Sequence, residues 1–217
     1  MVASEAWRQA SETTPAALAA DPANRLLHYY PLRRLEAEAI RDAVLAASGR
    51  LDEALYGPPV NPHRPNEDAM KRLFCGPLDG LGRRSIYTKL TIMEPPKFLA
   101  LFNQPAPKIS TGIRDITNTP AQALTLLNDQ LVKQQAEFWA GRLVAGSESQ
   151  PEPRIELMFR QALGRPPTSD ELARWSAAAR ELAGLHSVAP ENLMTSVPVW
   201  TDLAHALFNT KEFLYGL

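Results

Sequence analysis

Thr119-Pro120-Ala121-Gln122-Ala123-Leu124-Thr125-Leu126-Leu127 has the composition of a helix start. Thr119 offers a cap oxygen, proline sits at the first helical position where its missing N–H costs nothing, and Gln122 is spaced to reach back to the cap. From there Leu124, Leu127, Leu131, Gln135 and Phe138 recur at three and four, with Trp139 and Leu143 near the edge of the stripe. The spacing predicts one helix running to about Ala145-Gly146.

Working outward, the same grammar recurs. Arg154 to Leu163 places Ile155, Met158, Phe159 and Ala162 on one side and stops at Gly164, a residue suited to a left-handed close. Arg165-Pro166-Pro167 forbids continuation, and Thr168-Ser169-Asp170-Glu171 is a second capping box, followed by Leu172, Trp175, Ala179 and Leu182 as far as Gly184. These segments form a helical hairpin with a proline-locked turn. Trp200, Leu203, Ala204, Leu207 and Phe208 predict a further helix, with Asn209-Thr210 as a stop and a new cap for Lys211 to Tyr215. On the upstream side, Leu35, Ala39/Ile40, Ala43/Val44, Ala47 and Leu51 make a stripe on a helix that ends near Gly49.

The 19 prolines support this division by exclusion. Windows 32–57, 121–150, 168–189 and 199–217 are free of them, whereas nine fall between Pro58 and Pro107. Within that middle, Ile86, Thr88, Leu90 and Ile92 alternate with Tyr87, Lys89 and Thr91, which predicts a strand over Ser85 to Met93, either an extended crossover or a partner for Lys108 to Ile113. No fixed-period repeat points to a solenoid. The expected fold is mainly α, with one irregular helical domain over residues 1–217. It opens with an N-terminal helical region over residues 1–57, passes through a Pro-rich irregular middle over residues 58–118 with at most a small β-element, and closes with a C-terminal helical region over residues 119–217.

With 217 residues, 45% of them hydrophobic and 22% charged, the chain can bury a core. Lys+Arg 23 against Asp+Glu 24 gives a formal charge of -1, which argues against nucleic acid as a partner. Cys75 is the only cysteine, so an internal disulfide, a Cys-based zinc site and a Cys-x-x-Cys-His haem attachment are excluded. No apolar run approaches the roughly 18–20 residues of a membrane span. Val2 to Arg8 lacks the basic start and apolar run of a secretory leader.

Catalytic signatures are missing: there is no Gly-x-Ser-x-Gly, Ser-x-x-Lys or His-Glu-x-x-His. Gly76-Pro77-Leu78-Asp79-Gly80-Leu81-Gly82 lacks Gly-Lys-Ser/Thr and reads as a turn. His28, His63, His186 and His205 are scattered and read as surface or hydrogen-bonded core residues. Asp202 and His205, three apart, are the one local pair to test, although Asp202 is also placed to complement a helix N-terminus. Trp139, Trp175 and Trp200 read as core anchors, and Trp7 stays open between core and binding roles.

The candidate polar or anion site comprises Arg84, Ser110, Thr111, Arg114 and Asn118, since guanidinium forks suit carboxylate, sulfate or phosphate and the 109–119 stretch is dense in short hydrogen-bonding side chains. The competing expectation is a buried loop that satisfies its own backbone. Arg33, Arg34, Glu38, Arg41 and Asp42 are expected to form a structural ion network, with Arg41 pairing with Glu38 and Arg33 or Arg34 with Glu36 and Glu38.

Three groups of residues together carry a family resemblance. They are Asn24-Arg25-Leu26-Leu27 with Arg33 to Asp42; Arg84-Ser85-Ile86-Tyr87 with Pro120 to Asp129; and Leu163 to Thr168 with Trp200-Thr201-Asp202-Leu203 and Asn209 to Tyr215. As an ordered set they resemble the planctomycete-specific domain one, DUF1553, from about Trp7 to the C-terminus. The resemblance implies a domain that closes a longer exported chain, after a cytochrome-like haem module and another uncharacterised domain, often beside sulfatases and other glycan-degrading enzymes. This chain has no haem motif, so it is expected to carry no cofactor of its own and to be a truncated or stand-alone copy. The family implies periplasm or cell envelope and transfers no catalytic residue. The expected role is a non-catalytic structural or interaction module whose partner is the preceding domain of the same or a separate chain. The rival is a glycan- or anion-binding or hydrolytic domain.

Overall fold

A computed structural model describes residues 3–8, 10 and 12–216. The chain divides into two compact units, residues 1–35 with 215–217 and residues 36–214.

The smaller unit is built on local polar contacts. Helix α1 (Pro15–Ala20) starts at Thr14, whose hydroxyl accepts from the Ala17 N–H. Asp21 closes the next turn, its two carboxylate oxygens accepting from the N–H groups of Arg25 at 3.0 Å and Leu26 at 2.8 Å. Strand β1 (Arg33–Arg34) pairs antiparallel with β2 (Tyr215–Gly216), Arg33 opposite Gly216 and Arg34 opposite Tyr215. The small β-element therefore lies here and not in the Pro-rich middle. The side chain of Trp7 lies outside the described residues.

The larger unit is helical. Its elements are α2 (Ala37–Ser48), α3 (Lys97–Leu101), α4 (Pro120–Asn128), α5 (Gln130–Val144), α6 (Pro151–Leu163), α7 (Ser169–Leu185) and α8 (Val197–Phe208). The molecule is mainly α, as its periodicities predict. Helices α5 and α8 make the most extensive pairing, α2 lies against α5 and α6, and α7 contacts both α6 and α8. Trp139, Phe208, Ile155, Met158 and Leu203 are buried among them. Trp139 stacks on Phe208 with centroids 5.3 Å apart, and its indole N–H donates to Gln161 Oε1 at 2.7 Å. The indole N–H of Trp200 donates to the Leu193 carbonyl at 2.9 Å, so both tryptophans bury their rings with the polar edge satisfied.

Both predicted capping boxes form, at Thr119/Gln122 and at Thr168/Glu171, and α2 and α6 close in left-handed Gly49 and Gly164. The predicted helix from Pro120 to about Ala145 is instead two. Asp129 adopts an extended backbone (φ -64, ψ 133) and accepts from the Leu131 N–H, which ends α4 and caps α5. The break rotates the buried face: Leu126, Trp139 and Leu143 are buried, while Leu124, Leu127 and Phe138 are exposed.

The predicted strand from Ser85 to Met93 is corrected as well. Ser85–Tyr87 is a 3-10 turn, and only Thr88 forms a bridge, with Val60. The Tyr87 carbonyl accepts from the Val60 N–H at 2.9 Å and the Lys89 N–H donates to the Val60 carbonyl at 2.8 Å, after which no neighbouring strand continues the ladder among the described residues. Lys108 to Ile113 is an exposed turn segment and pairs with nothing in that ladder.

Candidate functional site

Helix α2 presents Arg41 and Asp42 to the glycine-rich loop. Arg41 is 6% exposed. Its Nη1 donates to the Arg83 carbonyl at 2.9 Å and to Ser85 Oγ at 3.1 Å, and its Nη2 donates to the Asp79 carbonyl at 2.7 Å. Asp42 Oδ1 accepts from both the N–H (2.8 Å) and the hydroxyl (2.7 Å) of Ser85, and lies 3.5 Å from Arg41 Nη1. The loop locks itself too, with Asp79 accepting from the Leu81 N–H at 3.0 Å and from Arg50 at 3.1 Å. Burial pulls the Arg41 pKa down, and Asp42 and Asp79 oppose it. Buried guanidinium needs acceptors on every side, and two loop carbonyls, the Ser85 hydroxyl and Asp42 supply them here.

That requirement overturns the expected pairing of Arg41 with Glu38. Arg41 turns inward, and Glu36 and Glu38 both hold Arg114, at 3.0 and 2.7 Å. Burial raises the Glu38 carboxyl, but the Arg114 hydrogen bond and its companions outweigh it and hold the group below its usual value. Arg41 and Asp42 form one cluster and Glu38 belongs to another, while Arg33 is exposed and Arg34 half-buried on β1.

Among the predicted polar-site residues, Arg114 is committed to these two carboxylates. Ser110, Thr111 and Asn118 are exposed, and Thr111 donates to the Ile109 carbonyl at 3.5 Å. The stretch is therefore no buried loop: a short polar chain between α3 and α4 has too few apolar side chains turned inward to be drawn under the surface. Arg84 is half-buried, and its guanidinium has no partner among the described residues. The side chain that does organise the region is Gln122, 2% exposed. Its Oε1 accepts from the Thr119 N–H at 3.1 Å while its Nε2 donates to the Leu101 carbonyl (3.0 Å), Asn103 Oδ1 (2.8 Å) and Thr117 Oγ1 (3.1 Å).

A half-enclosed cavity of about 160 Å³ lies where α2, α3 and the α4–α5 junction meet the Pro-rich loops. Arg41 reaches it from α2, Lys97 opens α3 beside it, and Asp129 and Leu131 border it from the junction. Prolines 62, 65, 77 and 96 stiffen its walls. Thr88, a lining residue, has a buried Oγ1 with no hydrogen-bond partner among the described residues. At the rim, His63 Nδ1 lies 3.3 Å from the Gly76 carbonyl and 4.0 Å from Cys75 Sγ. None of the five predicted polar-site residues lines this cavity. Its residues come from separate stretches of the chain, and no spacing in the sequence marks them. A second, shallower groove between α7 and α8 is lined by Trp175, Leu182, Leu185 and Leu203.

The histidines are also placed by tertiary structure. Asp202 meets His186 at 2.7 Å, not His205, and His205 Nε2 faces the Leu126 carbonyl at 2.9 Å. A pair 16 residues apart in sequence leaves no helical signature. Among the described residues no group of three or more His, Cys, Asp or Glu is placed to hold a metal, and no helix is long and apolar enough to cross a membrane.

These features define a mainly α domain in which arginines clamp irregular loops onto a helical body. A family model matches residues 1–179, and the chain belongs to that family, PSD1, described as a protein of unknown function (DUF1553). No curated protein and no solved structure matches it.

Proposed function

We propose that this chain is a non-catalytic interaction module of a multidomain cell-envelope protein associated with polysaccharide degradation, and that its partner is the domain preceding it, in the same chain or supplied as a separate one. One observation carries the interaction role. Ile86, Ile92, Met93, Ile109, Ile113 and Ile116 are each between 60% and 86% exposed. They lie on two segments, 86–93 and 109–116, on either side of α3; single exposed apolar side chains are ordinary, and it is the number of large ones on these two segments that supports a surface covered by another protein. The envelope setting and the glycan-degrading context rest on the family resemblance.

The test is co-expression with the preceding domain of a longer family member. The two are expected to co-purify, and the triple variant Ile86→Ser, Ile92→Ser, Ile113→Ser is expected to abolish this while its melting temperature stays close to that of the parent, because exposed positions contribute little to folding. Failure to co-purify, or co-purification that survives the triple substitution, would overturn the reading. Glycan or anion binding by Arg84, Ser110, Thr111, Arg114 and Asn118 ranks second, supported only by Arg84, whose guanidinium has no partner among the described residues.

A further inference from the structure

We propose that the protein surface covering the exposed isoleucines presents an Asp or Glu carboxylate to Arg84, with further acidic residues facing the lysines of the same stretch. That surface belongs to the preceding domain in the function proposed above, on which this assignment rests.

Residues 84–116 hold an excess of cations. Glu94 pairs with Arg64 at 3.2 Å, and Arg114 pairs with Glu36 and Glu38. Arg84, Lys89, Lys97 and Lys108 have no ion pair among the described residues, and Asp115 is the only acid of the stretch in the same position. The whole chain is near neutral, at a formal charge of -1, so the excess is local to the region that carries the isoleucines. Opposite charge on a partner steers its approach and selects it over others.

Arg84 is the anchor. Its backbone is fixed on both sides: the Arg83 carbonyl accepts from Arg41 at 2.9 Å, the Ser85 N–H donates to Asp42 at 2.8 Å, and the Arg84 carbonyl accepts from the Tyr87 N–H at 2.9 Å. The acids of these loops are spent elsewhere, Asp42 on Ser85, Asp52 on Arg83 and Asp79 on Arg50. The half-buried guanidinium is left with no acid among the described residues, two positions from Ile86, which is 81% exposed. An arginine beside apolar side chains, on backbone held still before binding, is the kind of residue that dominates a protein interface. Its planar fork takes a carboxylate through two parallel hydrogen bonds. A sulfated glycan or an anionic bilayer fits less well. A bilayer is gripped by clusters of about four to eight cations, whereas here one guanidinium sits near isoleucines and the lysines are spread along the chain.

The experiment measures the affinity of the whole chain for the preceding domain of a longer family member by biolayer interferometry, at low and high sodium chloride. Affinity is expected to fall as salt screens the charges. Arg84→Met keeps an apolar stem and removes the charge. It is expected to weaken binding about tenfold or more and to reduce the salt dependence, with a melting temperature close to that of the parent. Arg84→Lys, treated in the complex with a water-soluble carbodiimide, is expected to form an amide with an Asp or Glu of the partner, located by mass spectrometry. Parental affinity in Arg84→Met, an affinity indifferent to salt, or no cross-link from position 84 would overturn the proposal. In each of those cases, loss of the complex in the isoleucine triple variant would leave the interaction role standing. Absence of any complex, or one indifferent to the isoleucines, removes both together. Arg84-dependent binding to dextran sulfate, or to vesicles of phosphatidylserine and phosphatidylcholine, with the domain complex unaffected by Arg84→Met, would also overturn it.

Discussion

Gly82 stands at φ 74, and a Cβ placed there would come within 2.0 Å of the Arg50 carbonyl oxygen. Backbone cannot move aside as a flexible side chain can, and the Gly82 carbonyl is itself held by the Asp52 N–H at 2.8 Å. Gly82→Ala is therefore expected to destabilise the protein by about 2 kcal/mol, a fall of several degrees in the melting temperature. Arg41→Met removes a buried cation and leaves the Asp79 and Arg83 carbonyls and Asp42 without it, and denaturant titration should show a loss of about 3 kcal/mol. Sequence reasoning recognises the glycine-rich loop as a turn and assigns Arg41 to an ion network on its own helix. It mispairs Arg41 because the helical neighbour three residues back is visible in a sequence, and the loop that meets it 38 to 44 residues later is not.

At the scale of elements, legibility follows locality. Capping boxes are written within four residues, and both form; Thr119→Ala and Thr168→Ala should each cost about 1 kcal/mol by denaturant titration. With no shared partners, the two losses are expected to add in the double variant. The break at Asp129 is hidden because the leucine period runs straight across it, and only the Asp129 carboxylate, spaced to cap the Leu131 N–H, marks a second start. Alternation at Ile86, Thr88, Leu90 and Ile92 resembles a strand because exposed apolar residues mimic the pattern of a buried face. The cavity is illegible for a further reason: Thr88, Lys97 and Asp129 are ordinary residues until three segments bring them to one place.

The larger unit is also tied across its C-terminal half by one arginine. Arg165 donates to Glu171 at the start of α7, at 2.8 Å to each carboxylate oxygen, and to Glu212 at 2.6 Å through Nε and Nη2. The Arg165 hydrogen bond, helped by the Thr168 N–H, lowers the Glu171 carboxyl from 4.5 to about 2. A carboxyl depressed by folding stabilises the native state above its unfolded value, and that contribution drains away as pH falls from about 4.5 through about 2. Urea melts across this window should show stability falling with acid, and Glu171→Gln should flatten that slope. Identical slopes in the two proteins would mean that Glu171 is not held by Arg165 in solution.

The same larger unit leaves large apolar side chains uncovered in its irregular middle, and the proposed interaction role depends on their burial by a partner. Hydroxyl-radical footprinting, with the chain alone and mixed with the preceding domain of a longer family member, measures that burial side chain by side chain. Strong protection of Ile86, Ile92, Met93 and Ile113 is expected on mixing, with Met70, which is 99% exposed, oxidised as before. Unchanged oxidation of those four residues in a mixture that does form a complex would contradict it.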